Sequence, residues 1–423
     1  MHIPDGFLSP QTYLPAYAVA GAAWAWAARG LRGALDEQTV PRLAAVTALA
    51  YGLGLVMVPI PGGTSGHALG VAMLALLFGV RVAFLAYSLV LALQSLFFGA
   101  GGITALAVNA LAIGLAGAAT AAAAFRLLRR RETAAVAVAA WLSVALPGLL
   151  VALVLGAQPA IAQRADGTPL FFPFGLSITL PAVLIPHIFI GAGEAVLTML
   201  VWRFARARRW LPPDAASGVD EKRVESSAVA DAFPRKTGKG AAASFWLCAY
   251  LAAVVAITFV HEPLWLAAAL AAAFVACGAA RWRILRRAAL AVLAFNLAVS
   301  LGYAAVAVWQ ERFSAQTLLL LNLRVLLLVF LGFWFVARVS LLEACRFSPG
   351  LTFVVTLAVG QIQTFARALR DFRLAFVSRN AACPAPVDRA RQAAAQAAHL
   401  LDKSIAGAAE TALAMRSRGA FDD

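Results

Sequence analysis

Long apolar runs, separated by short polar or basic loops, make up most of this chain. A run of about 20 apolar residues can cross a bilayer as a helix, and only helices and closed barrels satisfy backbone hydrogen bonds there. The pattern therefore predicts an all-α polytopic membrane protein. The predicted spans are residues 11–28, 43–60, 67–80, 82–98, 102–125, 135–156 and 178–202, followed by 244–260, 264–280, 288–308 and 317–337.

Composition and charge agree with this fold class. Of the 423 residues, 62% are hydrophobic and 13% are charged, and the formal net charge is +15. The basic residues lie at the ends of apolar runs, which is typical of the cytoplasmic side of a membrane protein and does not indicate nucleic-acid binding. Alternate loops then place the N-terminus and His67 outside the inner (plasma) membrane and the C-terminus in the cytoplasm.

A polar, charged segment divides the chain into two predicted domains. Residues 1–209 form a seven-helix bundle, residues 210–243 a cytoplasmic linker, and residues 244–423 a transmembrane domain of roughly four helices. Beyond Arg338, charged residues interrupt the apolar pattern. This change predicts cytoplasmic helices at about residues 350–423.

The first two residues carry the clearest candidate chemistry. The α-amine of Met1, the amide nitrogen of His2 and the His2 imidazole can together close two fused chelate rings around a divalent ion. Amine and imidazole donors suit Ni, Co, Cu and Zn, and flat all-nitrogen coordination favours Ni(II) or Cu(II). Such a chelate requires that no residue precede Met1.

A second cluster of polar residues surrounds His67. The run from Pro61 to His67 contains three glycines and two hydroxyl residues, which predicts a tight turn. The turn either enters a helix with a surface histidine or supplies a fourth nitrogen ligand on the face that holds His2. Other residues are candidates to hold the ligands by hydrogen bonds rather than to bind metal directly: Asp5, Ser65, Asn109, His187 and Glu194.

Several motifs in residues 1–205 resemble the CbiM/NikM substrate-capture component of energy-coupling-factor (ECF) cobalt and nickel importers. The resemblance implies metal ligands at Met1, His2 and His67. It also implies that Co²⁺ or Ni²⁺ is a transported ion and that the protein has no permanent cofactor. The motifs are Met1–Gly6, Pro61–His67, Gly101–Thr104 with Asn109, and Pro186–Ala195.

The end of the chain resembles a second component of the same importers. Residues 412–419 resemble the second coupling motif of the CbiQ-like transmembrane subunit, which implies ATPase-coupling roles for Arg416 and Arg418. Arg379 is the candidate in the first coupling motif. The implied partners are a pair of CbiO-like ATP-binding-cassette subunits, and a small accessory membrane subunit would have to come from another chain.

Two other functions remain open on the sequence alone. The chain lacks the Gly-rich phosphate-binding motif of ATPases, so it is expected to be a transporter component without enzyme activity of its own. A gradient-driven metal carrier or channel would show the same topology. A membrane haem protein or enzyme using His187 and His261 is a more remote alternative. The pattern does not choose between cobalt and nickel.

Overall fold

The computed structural model describes residues 2–29, 39–55, 57–60, 64–210, 239–309 and 313–344, with scattered helical positions between 360 and 413. The first part of the chain contains eight α-helices and a short π-helix. Their bounds are α1 Pro10–Ala28, α2 Thr39–Leu53, α3 Val71–Phe78, α4 Val80–Phe98, α5 Leu106–Asn109, the π-helix Ala110–Ala116, α6 Gly117–Leu128, α7 Glu132–Ile161 and α8 Leu176–Ala207.

In the second part, the described residues 239–309 and 313–344 form four long helices and one short helix. The central helix of this part, α12, packs against α9, α10 and α11 and also contacts α4 of the first part. The bounds are α9 Lys239–Thr258, α10 Pro263–Ala276, α11 Arg281–Trp309, α12 Ala315–Arg338 and α13 Leu341–Ala344.

The all-α polytopic fold class is confirmed, and the chain is a multi-pass membrane protein. Six helices in the described residues are long and apolar enough to cross a membrane, and two further apolar helices are shorter. The six are Val80–Phe98, Leu106–Leu128, Glu132–Ile161, Leu176–Ala207, Gly278–Trp309 and Ala315–Arg338.

Two predicted spans have the wrong bounds. The helix predicted at 43–60 ends at Leu53, and a two-stranded antiparallel hairpin follows, with β1 Val58–Ile60 paired to β2 Thr64–Gly66. Proline at positions 59 and 61 opposes a helix, and the β-branched residues Val58 and Ile60 favour extended backbone.

The helix predicted at 67–80 is also shorter, because α3 begins only at Val71. Its eight residues are about 12 Å long, which is less than half the hydrocarbon thickness of a bilayer. The four residues before α3 are not helical, and three of them are buried. Non-helical backbone at this depth is tolerated only where protein surrounds it.

The two ends of α7 identify the two ends of the first bundle. At the start of α7, the Glu132 carboxylate accepts hydrogen bonds from Trp202 Nε1 (2.5 Å) and Arg206 Nη1 (2.6 Å) near the end of α8. At the other end, Gln158 Oε1 accepts a hydrogen bond from Ser9 N at 2.9 Å. The N-terminal chain therefore enters the bundle from the end opposite the basic loops.

The predicted cytoplasmic features lie largely outside the described residues. Most of the linker does so, as do the predicted coupling residues Arg379, Arg416 and Arg418. The described positions between 360 and 413 are helical and mostly exposed, as predicted for surface helices. One of them, Asp402, pairs with Arg208 just after α8, with Oδ2 and Nη2 2.5 Å apart.

Candidate metal centre

The N-terminal segment, residues 2–9, is buried and non-helical. Buried backbone groups need hydrogen-bond partners, and here side chains supply them. The Asn109 side chain accepts from Ile3 N and donates to Ile3 O, both at 3.0 Å. This two-point contact resembles one rung of a β-ladder and fixes the backbone directly after His2.

Asp5 anchors the middle of the N-terminal segment. Its carboxylate accepts hydrogen bonds from Ile103 N (3.0 Å), Thr104 N (2.7 Å) and Thr104 Oγ1 (2.6 Å). Burial raises the pKa of Asp5, whereas the three hydrogen bonds lower it. Because all three partners are donors, the carboxylate form fits this arrangement best.

Two further anchors were not predicted from the sequence. Gln158 holds Ser9 and also donates to Thr12 Oγ1 at 3.0 Å. The Tyr17 hydroxyl donates to Ile103 O, behind the backbone that binds Asp5. An amide at the end of a long apolar run was the available signal for Gln158, and Tyr17 gave none that distinguishes it from an ordinary helix residue.

His2 and His67, which lie 65 positions apart in the chain, meet inside the bundle. Their ring centroids are 4.4 Å apart with an interplanar angle of 55°. At a metal–nitrogen distance of about 2 Å, two imidazoles bound at right angles to one ion have centroids about 4.5 Å apart. The rings are therefore spaced as two neighbouring ligands of one ion would be.

The hydrogen bonding of His67 leaves one nitrogen available. Nδ1 lies 2.8 Å from Ala68 O, and since a carbonyl only accepts, Nδ1 is the donor. Nε2 is buried and has no hydrogen-bond partner among the described residues. With Nδ1 as the donor, the neutral ring of His67 presents Nε2 as the nitrogen that can bind a metal ion.

Glu194 holds the His67 loop, residues 66–70, against α8. Its two carboxylate oxygens accept from Leu69 N (2.8 Å) and Gly70 N (2.6 Å). With a rise of 1.5 Å per residue, Glu194 lies about 27 Å along a helix about 48 Å long. The histidine pair therefore lies near mid-depth and not at the outer face, where the sequence pattern placed it.

His187 occupies the same buried face of α8 as Glu194 but does not bond to it. Its Nδ1 lies 2.6 Å from Val183 O one turn earlier, and its Nε2 has no partner in the described part of the chain. Its observed hydrogen bond is thus to the backbone of its own helix, and not to Glu194 or to a ligand, as the sequence predicted. A Cβ at Gly148 of α7 would lie 3.6 Å from the Cβ of His187.

Gly101 packs directly on His2. It has φ +80°, and a Cβ there would lie 3.3 Å from the Cβ of His2. Only glycine adopts this backbone conformation without strain while leaving room for a close neighbour. The turn that binds Asp5 therefore also sets the position of the His2 side chain.

Two predicted contributors fall outside the description. Met1 and the Ser65 side chain are not among the described residues, although the Ser65 backbone pairs with Pro59 in the hairpin. Within the described residues, no three His, Cys, Asp or Glu side chains cluster as metal ligands do.

The first half of the chain is similar to known metal transport proteins. Residues 2–211 match the CbiM family, the cobalt uptake substrate-specific transmembrane region. The chain is 37% identical over 211 residues to the probable fused nickel transport protein LarMN of Lactiplantibacillus plantarum, over 49% of this chain and 64% of that protein. It is 35% identical over 234 residues to the fused nickel transport protein NikMN of Rhodobacter capsulatus, over 53% of this chain and 67% of that protein.

Among solved structures, one titled as the crystal structure of a truncated transition metal transporter is 34% identical, with a TM-score of 0.48, over 49% of this chain and 99% of that one. The match spans just under two thirds of the length of LarMN, the first of these relatives. The family match at residues 2–211 covers the buried N-terminal segment, the His67 loop and the helices that hold them. Through residues 2–211, the chain belongs to the CbiM family of cobalt uptake substrate-specific transmembrane regions.

Proposed function

We propose that this chain is the membrane permease of an ATP-driven ECF-type importer that captures Ni²⁺ or Co²⁺ from outside the cell. The Met1 amine, the His2 amide and imidazole nitrogens and His67 Nε2 hold the ion. Separate ATP-binding-cassette subunits supply the energy through the cytoplasmic helices of the second half, which acts as a CbiQ-like coupling domain.

The observation that carries this proposal is the buried pair of imidazoles, with centroids 4.4 Å apart, at the end of an N-terminal segment held by hydrogen bonds. Asn109 and Asp5 fix the backbone that follows His2, and Glu194 fixes the loop that contains His67. Ligands held in this way lose little conformational freedom on binding, which favours high affinity. The relatives named as nickel transport proteins support the same substrate class.

Four nitrogens around one ion favour Ni²⁺ over Co²⁺ on geometry, whereas affinity alone would favour Cu²⁺. Metal supply in the cell therefore contributes to selectivity. In the capture step, the ion loses its bound water and enters a site that is buried in the protein.

The two ends of the bundle support uptake from outside the cell. The basic loops lie at the end of α7 near Glu132, and the N-terminal segment enters near Gln158 at the other end. If the basic end is cytoplasmic, the ion enters from outside. The Arg208–Asp402 pair joins the end of α8 to the helical tail on the basic side, where ATPase subunits would dock.

Uptake by reconstituted vesicles tests the proposal. We expect Ni²⁺ accumulation only when the chain is combined with its ATPase subunits and ATP. His67→Gln should abolish this uptake, whereas His261→Gln, in the turn between α9 and α10, should not. Uptake by the chain alone along an ion gradient would instead support a secondary carrier, and a Soret absorption band would support a haem protein.

A further inference from the structure

Arg324 is fully buried in the middle of α12, a helix rich in leucine and phenylalanine. Within the described residues, none of the ion pairs involves it. A cation at membrane depth without a paired carboxylate is costly, and such residues generally have a specific role. A lone arginine within an apolar run can also be recognised as unusual from the sequence alone.

The guanidinium group of Arg324 joins the two halves of the chain. Nη1 donates to Leu170 O at 2.7 Å, in the segment between α7 and α8. Nη2 donates to Val260 O at 3.0 Å, in the turn between α9 and α10. The guanidinium carbon also lies 4.5 Å from the centroid of the Phe171 ring, within cation–π range.

The stem of the same side chain lies against the N-terminal segment. Gly6 has φ +88°, and a Cβ there would lie 3.3 Å from both Cγ and Cδ of Arg324. The next residue, Phe7, packs edge-on against Phe295 of α11, with centroids 5.5 Å apart. The second half therefore covers the chain four residues after His2.

From these contacts we infer that Arg324 is a positioning residue, through which the second half holds the metal-binding N-terminal segment closed. The inference rests on the proposed metal site. While the two carbonyl bonds persist, the stem of Arg324 supports the turn at Gly6. Movement of α12 relative to the Leu170 and Val260 carbonyls would remove that support and let the N-terminal segment leave its buried position. Arg324 thus sets the rate at which the ion is released.

The test compares three variants of the full chain, loaded with Ni²⁺ and mixed with excess chelator. Arg324→Met removes both hydrogen bonds and keeps an unbranched side chain. Arg324→Lys keeps the positive charge but has one terminal nitrogen in place of two. Asn322→Leu is the matched control, because it removes a polar contact of α12 with Ser300 of α11, 3.0 Å away, and leaves both carbonyl bonds of Arg324 in place.

We expect Arg324→Met to release Ni²⁺ at least 10-fold faster than the unmodified chain, with an unchanged absorption spectrum of the bound ion because the ligands are the same. Arg324→Lys should be intermediate, and it carries the test by itself if Arg324→Met does not fold. Asn322→Leu should release at the original rate. Equal release rates for the Arg324 variants and the unmodified chain would overturn the inference, as would equal acceleration by Asn322→Leu. Absence of Ni²⁺ binding by the unmodified chain would instead overturn the proposed function.

Discussion

At the scale of single residues, the candidate site depends on close contacts that leave little room for change. Gly101 shows this best, because its left-handed backbone conformation and its contact with His2 make any side chain there strained. The sequence identified Met1 and His2 as candidate ligands through their chelating nitrogens, and His67 through its turn and the resemblance to a family. It also identified Asp5 and Asn109 as supports. The side-chain orientation that leaves His67 Nε2 open depends on local geometry around Ala68, which no residue spacing predicts.

We expect Gly101→Ala to lower Ni²⁺ affinity at least 10-fold. The added methyl group displaces His2, and φ +80° costs about 1–2 kcal/mol for a residue with a Cβ. Titration calorimetry on the purified chain measures the affinity, and thermal unfolding measures the strain.

Gly167→Ala provides the matched control for this change. Gly167 has φ +82° with nothing within 4 Å of its Cβ position, so it carries the same backbone strain without a contact. It should lower thermal stability by a similar amount and leave Ni²⁺ affinity unchanged. If both variants weaken binding equally, the contact with His2 is not what matters.

At the scale of elements, helices give way to irregular backbone where the site is built. The extent of α7 and α8 follows from their long apolar runs, and the structure confirms both. The sequence pattern failed at α2 and α3, because hydrophobicity alone does not distinguish a spanning helix from a buried hairpin and loop. Pro59, Pro61 and Gly70 indicate that the helices are interrupted here. The buried loop also depends on Glu194 of α8, which is distant in the sequence and accepts hydrogen bonds from the loop backbone.

The α8–loop contact gives a prediction for Glu194→Gln. The amide retains one acceptor oxygen and places an N–H group against a backbone N–H, so one of the two bonds to the His67 loop is lost. Loss of a residue that orients a ligand typically lowers metal affinity about 10–100-fold. We expect a loss in this range, measured by competition with a chelator of known affinity.

Glu132→Gln is the control for this substitution, since Glu132 makes a similar two-oxygen contact at the basic end of α8. It should leave Ni²⁺ affinity within about 2-fold of the unmodified chain. A comparable loss of affinity in both variants would indicate that the integrity of α8, and not its hold on the loop, controls binding.

At the scale of the whole molecule, the two halves are joined around the N-terminal segment. Tyr13 Oη lies 2.8 Å from Thr258 Oγ1, and Arg164 Nη2 donates to His261 O at 2.8 Å. The sequence predicted two domains separated by a linker, but it did not predict which surfaces meet. Such contacts arise from the packing of distant helices, and the pattern of apolar residues did not predict that Arg324 takes part in them.

Sidedness is predicted from the positions of the basic loops. In a chain whose native cysteines have been replaced, Asp166→Cys should react in intact cells with a maleimide that does not cross membranes. Arg130→Cys should react only after the membrane is permeabilised. Both positions are exposed and lie beyond opposite ends of α7. The reverse labelling pattern would place the N-terminal segment on the cytoplasmic side and contradict uptake from outside.

The most direct measurement is the Ni²⁺ content of the purified chain when it starts at Met1, compared with the same chain extended by one residue before Met1. The extension converts the α-amine into an amide and removes one corner of the chelate, while the contacts of Asp5, Asn109 and Glu194 remain. We predict about one Ni²⁺ per chain for the first protein and little or none for the second. Equal metal content in the two proteins would contradict a site built on the N-terminal nitrogens.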